Sequence, residues 1–336
     1  MRVLVYEFLC ATADQSLPAS LAREGRAMLA AVVEDFARIP DVVVCTLWAE
    51  SLGPPPFLSD LPIQTIPVPM GNEAAVFQET ARVCDVAFVI APESDSLLAQ
   101  RFEWISRTSC RWLGSSLPAI ALCTDKLALA NHLSECGVST IPTKSWNASR
   151  SSELDLTFPA VIKPRDGAGS QATYLVRDVA DYRRLLPTLV AEPALQGNAI
   201  HQPYIPGEAV SVAVLISADG STAIPLPVCR QHLTGDGRFH YLGGSVPADI
   251  NSPEVIQRTA LDACRHVPGL TGYAGVDLVI PESTPNQPLV VEINPRLTTS
   301  YLGYRRLTSN NLGEWLLGSP TFSPNWKRGH VEFEPN

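Results

Sequence analysis

The stretch QPLVVEINPRLTTSYLG, Gln287 to Gly303, begins as a buried β-strand and then places Glu292, Asn294 and Arg296 in a row at its end. Side chains on a strand alternate faces, so Glu292 and Asn294 point the same way, and Arg296 joins them if the strand persists that far. Upstream, GYAGVDLVI sets Asp277 between Val276 and Leu278. If the two strands pair, Asp277, Glu292 and Asn294 converge as three oxygen ligands at one end of a sheet. Such a set suits Mg2+, which keeps some waters and takes the rest of its shell from phosphates. An acidic rim on an exposed strand is the alternative.

Two further segments bear on that choice. In FPAVIKPRDGAGSQ, Lys163 ends an apolar strand, where an ammonium needs a partner to offset its desolvation. The turn that follows, Asp166, Gly167, Gly169 and Ser170, supplies glycines whose backbone can approach phosphate oxygens closely. Read alone, it is also an ordinary tight turn, and no Walker A loop occurs in the chain. The segment HQPYIPGEAVSV then provides an extended linker, Gln202, Pro203, Tyr204 and Ile205, just before another strand. Its Pro203 carbonyl and Ile205 N–H can read the Watson–Crick edge of adenine, a role for which the missing N–H of proline is no handicap. The order of these pieces along the chain carries more weight than any one of them.

The 336 residues exceed what one hydrophobic core usually supports, so two or three units are expected. With 46% hydrophobic and 18% charged residues, the chain has the balance of a soluble globular protein. A net charge of −9 without any block of like charge argues against nucleic acid and anionic membrane as partners. A phosphate site needs only a few local cations, so ATP stays compatible with that charge. The eight cysteines are scattered singly without a Cys-x-x-Cys pair, which reads as reduced core thiols in a cytoplasmic protein. Glu7 interrupts the short apolar N-terminus MRVLVYEFLCA, which therefore reads as a first strand and not as a signal peptide. No apolar run reaches the roughly 18 residues that span a bilayer.

Along the chain, RVLVYEFL, DVVVCTLWA and CDVAFVIAPES read as strands and Ser20 to Phe36 as an amphipathic helix, the alternation of a parallel sheet with covering helices. Between them GPPPFLSDLPIQTIPVP is too rich in proline for regular structure. A helix KLALANHLSECG stops at Gly137, two strands flank the glycine turn, and VADYRRLLPTLVA is a second helix. From Ala199 the pattern is mostly strand, broken by a loop around Gly235 to Gly244. Three units are expected: an open α/β domain at residues 1–112, a small α+β unit at 113–198, and a larger strand-rich unit at 199–330. The region around His240 and Tyr241 reads as a substrate-side loop, since the six histidines lack metal-site spacing.

At these residues the chain resembles the ATP-grasp superfamily over roughly residues 113–320. The resemblance implies an α/β and α+β architecture, an ATP-grasp fold preceded by an open α/β pre-ATP-grasp domain. It implies that Lys126, in CTDKLALANHL, and Lys163 contact ATP phosphates, that the 166–170 loop covers them, and that Asp277, Glu292 and Asn294 hold two Mg2+ ions, for which Mn2+ can substitute. Such enzymes activate a carboxylate as an acyl phosphate that an amine then displaces. Arg296 would steady the developing charge. Some members carry an arginine two residues before the metal-binding aspartate, where this chain has Gly275, so Arg296 or Arg230 must do that work; Glu208 stands one position from the usual ribose-binding glutamate.

The first domain narrows the likeness. VYEFLCA, SLAREGRAMLAAVVEDF, IAPESDSLLAQ, WLGSSLPAIALCTDKLAL, CRQHL and YLGGSVPAD together resemble the tyramine-glutamate ligase branch of methanofuran-type cofactor synthesis. The segment ATADQSLP replaces the glycine-rich continuation usual after the first strand, and Arg23, Glu24 and Glu93 are candidates for holding substrate ends. The expected activity joins the carboxylate of glutamate to an amine such as tyramine or tyrosine. The partners are small molecules, and a homodimer is compatible with the sequence. A D-alanine-D-alanine type ligase is one alternative. A nucleotide-binding regulatory protein without turnover is another, which the Asp277, Glu292, Asn294 set disfavours.

Overall fold

The computed structural model describes residues 1–58, 60–147, 156–167, 169–318 and 324–334. Its first apolar runs form β1 (Arg2–Glu7), β2 (Val43–Ala49), β3 (Ile63–Val68), β4 (Val86–Ile90) and β5 (Arg111–Trp112), all parallel, in the order β3-β2-β1-β4-β5. Near-continuous apolar strands are what a sheet covered on both faces requires, and every residue of β4 is buried. The helices α1 (Phe8–Thr12), α2 (Ala19–Ala37), α3 (Glu73–Ala81) and α4 (Leu97–Ser106) accompany this sheet. The strand order reverses between β1 and β4, which opens a crevice at their carboxyl ends. Glu7 closes β1 and Glu93 follows β4 at that crevice. One expectation is corrected here: within the proline-rich segment, Ile63–Val68 is a strand. It lies at the edge of the sheet, where Pro67 interrupts no second ladder.

Two helices, α5 (Leu117–Thr124) and α6 (Lys126–Glu135), lead into a four-stranded antiparallel sheet. Asp125 caps α6, accepting from the N–H groups of Leu127 and Ala128 at 3.1 and 3.0 Å, and so fixes Lys126 as the first helical residue. The sheet contains β6 (Lys144–Trp146), β7 (Ala160–Pro164), β8 (Tyr174–Val176) and β9 (Ala199–Pro203) in the order β6-β9-β7-β8. Its inner face packs Ile162, Tyr174 and Val176 against Tyr182 and Leu189 of α7 (Val179–Ala191), a core of its own.

The third sheet holds β10 (Gly207–Ile216), β11 (Ala223–Pro225), β12 (Cys229–Leu233), β13 (Tyr241–Val246), β14 (Gly272–Pro281), β15 (Leu289–Asn294) and β16 (Val331–Phe333), with main order β15-β14-β10-β12-β13-β16 and β11 beside β10. One face packs on α8 (Pro253–Arg265). The other meets α9 (Tyr301–Leu307) and α10 (Leu312–Leu316), which pack against α2. Val3, Phe36, Tyr301 and Trp315 belong to one continuous core, so the first and third sheets are not separate bodies. Asp35 of α2 pins that junction, accepting from Tyr301 Oη and Arg305 Nη2, both at 2.7 Å. All eight cysteines are free, and seven are buried. Among the described residues, no helix is long and apolar enough to cross a membrane.

Candidate active site

The pairing of β14 with β15 sets Asp277 opposite Glu292 and Gly275 opposite Asn294, so the three expected ligands share one face. Asn294 Nδ2 donates to Asp277 at 3.3 Å and Gln231 Nε2 to its other oxygen at 2.9 Å; Lys126 Nζ stands 3.3 Å from Glu292. Burial and the neighbouring Glu292 push the Asp277 carboxyl well above the usual carboxylate range. Glu292 is only half-buried, and Lys126 and Lys163 hold its carboxyl well below the usual carboxylate range. Two crowded carboxylates, one pushed toward its protonated form, are a site that a divalent cation would relieve. Among the described residues no three His, Cys, Asp or Glu side chains cluster, so two carboxylates and an amide leave the rest of a metal's shell to water and phosphate. The donor set fits Mg2+ in that sense.

Lys163 faces the same cavity because β7 alternates: Val161 and Lys163 line the cleft while Ile162 enters the core. Its ammonium is buried, and among the described residues it has no ion-pair partner within 4 Å. Desolvation lowers its pKa to about 8 against the pull of Glu292. Lys126 donates to the carbonyl of Gly167 at 2.9 Å, which ties the glycine turn to the Glu292 carboxylate. Gly167, Gly169 and Ser170 line the cleft, whereas Asp166 turns aside to accept from Asn198. Ala168 lies outside the described residues, as do positions 319–323 of the expected third unit.

The linker borders the same cavity with Gln202, Pro203, Tyr204 and Ile205. Tyr204 N donates to Pro159 O at 2.8 Å, so Pro203 faces Ala160 as a non-hydrogen-bonded pair and its carbonyl points away from β7. Among the described residues the Ile205 N–H has no partner. Gln202 keeps its backbone there but sends its side-chain amide to Thr143 Oγ1 at 2.8 Å, into the small subdomain.

Glu208 and Arg230 are not brought to the cleft. Gly207, Ala209 and Ser211 of β10 face the cavity, as do Gln231 and Leu233 of β12, so strand alternation turns Glu208 and Arg230 to the opposite face. There they pair with one another at 2.7 Å, both partly in solvent. The loop around His240 borders the cavity with Gly235, Gly237 and Phe239. It also leans over the small subdomain, where Gly237 O accepts from Leu175 N at 2.8 Å and Arg238 covers the Tyr174 ring at 3.7 Å, and Tyr241 follows it toward the inner end of the cavity.

At that inner end Arg296 meets Glu93 of the first domain, Nη2 to Oε2 at 3.0 Å and Nε to Oε1 at 2.9 Å. Glu7 is buried nearby, caps α1 through Cys10 N at 2.7 Å, and burial raises its pKa. It lies so close to α2 that a Cβ at Gly25 would stand 2.4 Å from its oxygen, which explains a glycine in mid-helix. Glu24 and Met28 of α2 line the cavity, while Arg23 is exposed. The whole cavity measures about 540 Å³, within the range of small-molecule sites. Gln231, Glu7 and Met28 escaped the sequence reading. Only the alternation of CRQHL hinted at Gln231, and the β12–β10 pairing that aims it at Asp277 joins distant segments.

An open α/β sheet joined to two antiparallel sheets, with a nucleotide-sized cleft between them floored by two carboxylates, an amide and two lysines, defines a class, and comparison with known families agrees. The chain belongs to the ATP-grasp family: the family profile described as an ATP-grasp domain matches residues 123–300, and one described as a pre ATP-grasp 3 domain matches 42–120. Members of this family use ATP and divalent metal ions. Among curated proteins, the chain is similar to tyramine–L-glutamate ligases of Methanocaldococcus fervens, 26% identical over 69% of this chain and 65% of that one, and Methanocaldococcus jannaschii, 24% identical over 94% and 88%. The match thus spans just under two thirds of the first of these relatives. A D-alanine–D-alanine ligase of Anaeromyxobacter sp. is 26% identical over 57% of this chain and 63% of its own. Among solved structures, one from Archaeoglobus fulgidus assigned to the ATP-grasp superfamily superposes with a TM-score of 0.71 at 25% identity, over 95% of this chain and 88% of that one. Biotin carboxylase from Campylobacter jejuni, at 15% identity, shares the fold with a TM-score of 0.77 over 98% and 74%.

Proposed function

We propose that this chain is an ADP-forming carboxylate–amine ligase that joins glutamate to an aromatic amine of the tyramine or tyrosine type through an acyl phosphate. The observation that carries the reading is one cavity in which Asp277, Glu292 and Asn294, the buried ammonium of Lys163, and Arg296 meet. A pair of Mg2+ ions on that floor, or Mn2+ in their place, would supply charge neutralisation for the phosphate oxygens. Lys163 and Lys126 hold the phosphates, and the glycine turn closes over them. The Pro203 carbonyl and Ile205 N–H orient the adenine. Arg296 positions the carboxylate that accepts the phosphoryl group, a reaction in which positioning and charge neutralisation dominate.

The choice of glutamate and an aromatic amine rests on the curated relatives, which carry the name tyramine–L-glutamate ligase. Purified protein supplied with ATP, Mg2+, glutamate and either tyramine or tyrosine should release ADP and give one adduct heavier by a glutamyl increment in the mass spectrum. The likeness to D-alanine–D-alanine ligase supports a second reading, for which ADP release with D-alanine and no glutamyl adduct would be the sign.

A further inference from the structure

Glu24 has no use in the phosphate chemistry above, although it projects from α2 into the inner end of the cavity. Among the described residues it has neither a hydrogen bond nor an ion-pair partner within 4 Å. Every other carboxylate of this region is engaged: Glu93 by Arg296, Glu7 by Cys10 N, Asp277 by Gln231 and Asn294, and Glu292 by Lys126. A half-buried carboxylate without a partner is destabilising unless something else answers it. Met28 of the same helix and Tyr241 line the same cavity, surroundings that admit a cationic head with an apolar body beside it.

We infer that Glu24 is the catalytic base of the amide-forming step, receiving the ammonium of the incoming amine and taking its proton as the nitrogen attacks the acyl phosphate. The inference deepens the proposed ligase reading and rests on it. The step balances as follows: one ammonium proton passes to a Glu24 oxygen, and the freed lone pair forms the bond to the acyl carbon. The bond from that carbon to the phosphate oxygen breaks, and the departing phosphate takes the nitrogen's second proton. Glu24 then returns its own proton to solvent.

The groups that face Glu24 are consistent with such a base. Burial raises its pKa to about 7, while Arg296 and Arg23 pull in the opposite direction. Tyr241 shares the cavity lining and feels the Glu24 charge, its phenol kept neutral by burial, and the buried Glu7 lies against the next residue of α2. A base poised near the working pH is the condition for efficient proton transfer.

Hydroxylamine separates this role from all others, because it is already uncharged near neutral pH and attacks acyl phosphates without a base. With glutamate, ATP and Mg2+, Glu24→Gln should lose about 100-fold or more in amide formation with the aromatic amine yet keep hydroxamate formation within about threefold of the unaltered protein. Glu24→Asp should recover part of the loss. The unaltered protein's amide-forming rate should fall as pH drops below about 7, following the group's pKa, and the Gln variant should lack that limb. Amide formation by Glu24→Gln at near-native rate would overturn the assignment, and so would loss of hydroxamate in parallel with amide. Absence of hydroxamate from the unaltered protein with any carboxylate tested would instead sink the ligase reading itself.

Discussion

Arg296 Nη2 donates to Glu93 Oε2 at 3.0 Å, joining the end of β15 to the end of β4 across 203 residues of sequence. The companion contact, Nε to Oε1, is short at 2.9 Å, yet its angle misses a hydrogen bond, so both buried atoms lack a hydrogen-bond partner. The pair is thus a domain tie, and its Arg296 also lines the cleft, where the proposed mechanism needs a cation for a carboxylate.

Breaking this tie from one side should hurt stability more than removing it whole. Arg296→Met alone or Glu93→Leu alone leaves a buried charge uncompensated, at about 3–5 kcal/mol, whereas the double variant should recover a large part of that loss. Urea unfolding of the three variants measures it; additive losses in the double variant would contradict the pairing. Arg296→Met should also slow turnover by about 100-fold or more, as loss of a preorganised charge does.

Lys163 should make nucleotide affinity depend on pH in a range where an ordinary lysine would not. Burial lowers its pKa to about 8, so the free protein loses this positive charge as pH rises through that value, and ATP binding should weaken there. Lys163→Met should bind ATP poorly throughout and lose the part of the weakening above pH 8 that Lys163 contributes. Calorimetric titration with a non-hydrolysable ATP analogue distinguishes the two curves.

Glu292→Gln should separate binding from chemistry. The substitution keeps the shape of the site and removes one metal-ligating charge, so nucleotide binding should survive within about tenfold while ADP release falls by roughly 1000-fold, several kcal/mol of charge stabilisation. Measuring analogue affinity and ADP formation on the same preparation tests it. Turnover within tenfold of the unaltered protein would remove Glu292 from the metal floor.

Glu208→Ala and Arg230→Ala should be nearly silent. Their ion pair lies in solvent on the far face of the sheet, where such pairs contribute about 0–1 kcal/mol, so kcat/KM should stay within about threefold. A larger loss on Arg230→Ala would return that arginine to the cleft.

The lysine strand, glycine turn, linker and Asp and Glu-x-Asn strands were legible because each is a local pattern. Period-two alternation within a single strand suffices to put Glu292 and Asn294 on one face. The same rule, once the facing sides of β10 and β12 are known, expels Glu208 and Arg230, but the sequence does not say which face of an antiparallel strand is the cleft. The proline-rich run around Ile63 misled for a related reason. Propensity speaks against a strand there, and only the edge position of β3, a property of the assembled sheet, removes the objection.

By itself, then, the sequence determined the order of elements, the parallel character of the first sheet and the shared face of Asp277, Glu292 and Asn294, all of which follow from short-range periodicity and side-chain type. The tertiary structure alone decided that Arg296 answers Glu93, that Gln231 reaches Asp277, that Glu7 nests against Gly25, and that Glu24 faces the cavity without a partner among the described residues. Each of these joins residues far apart in the chain, and their meeting depends on how three sheets pack, which no local pattern encodes.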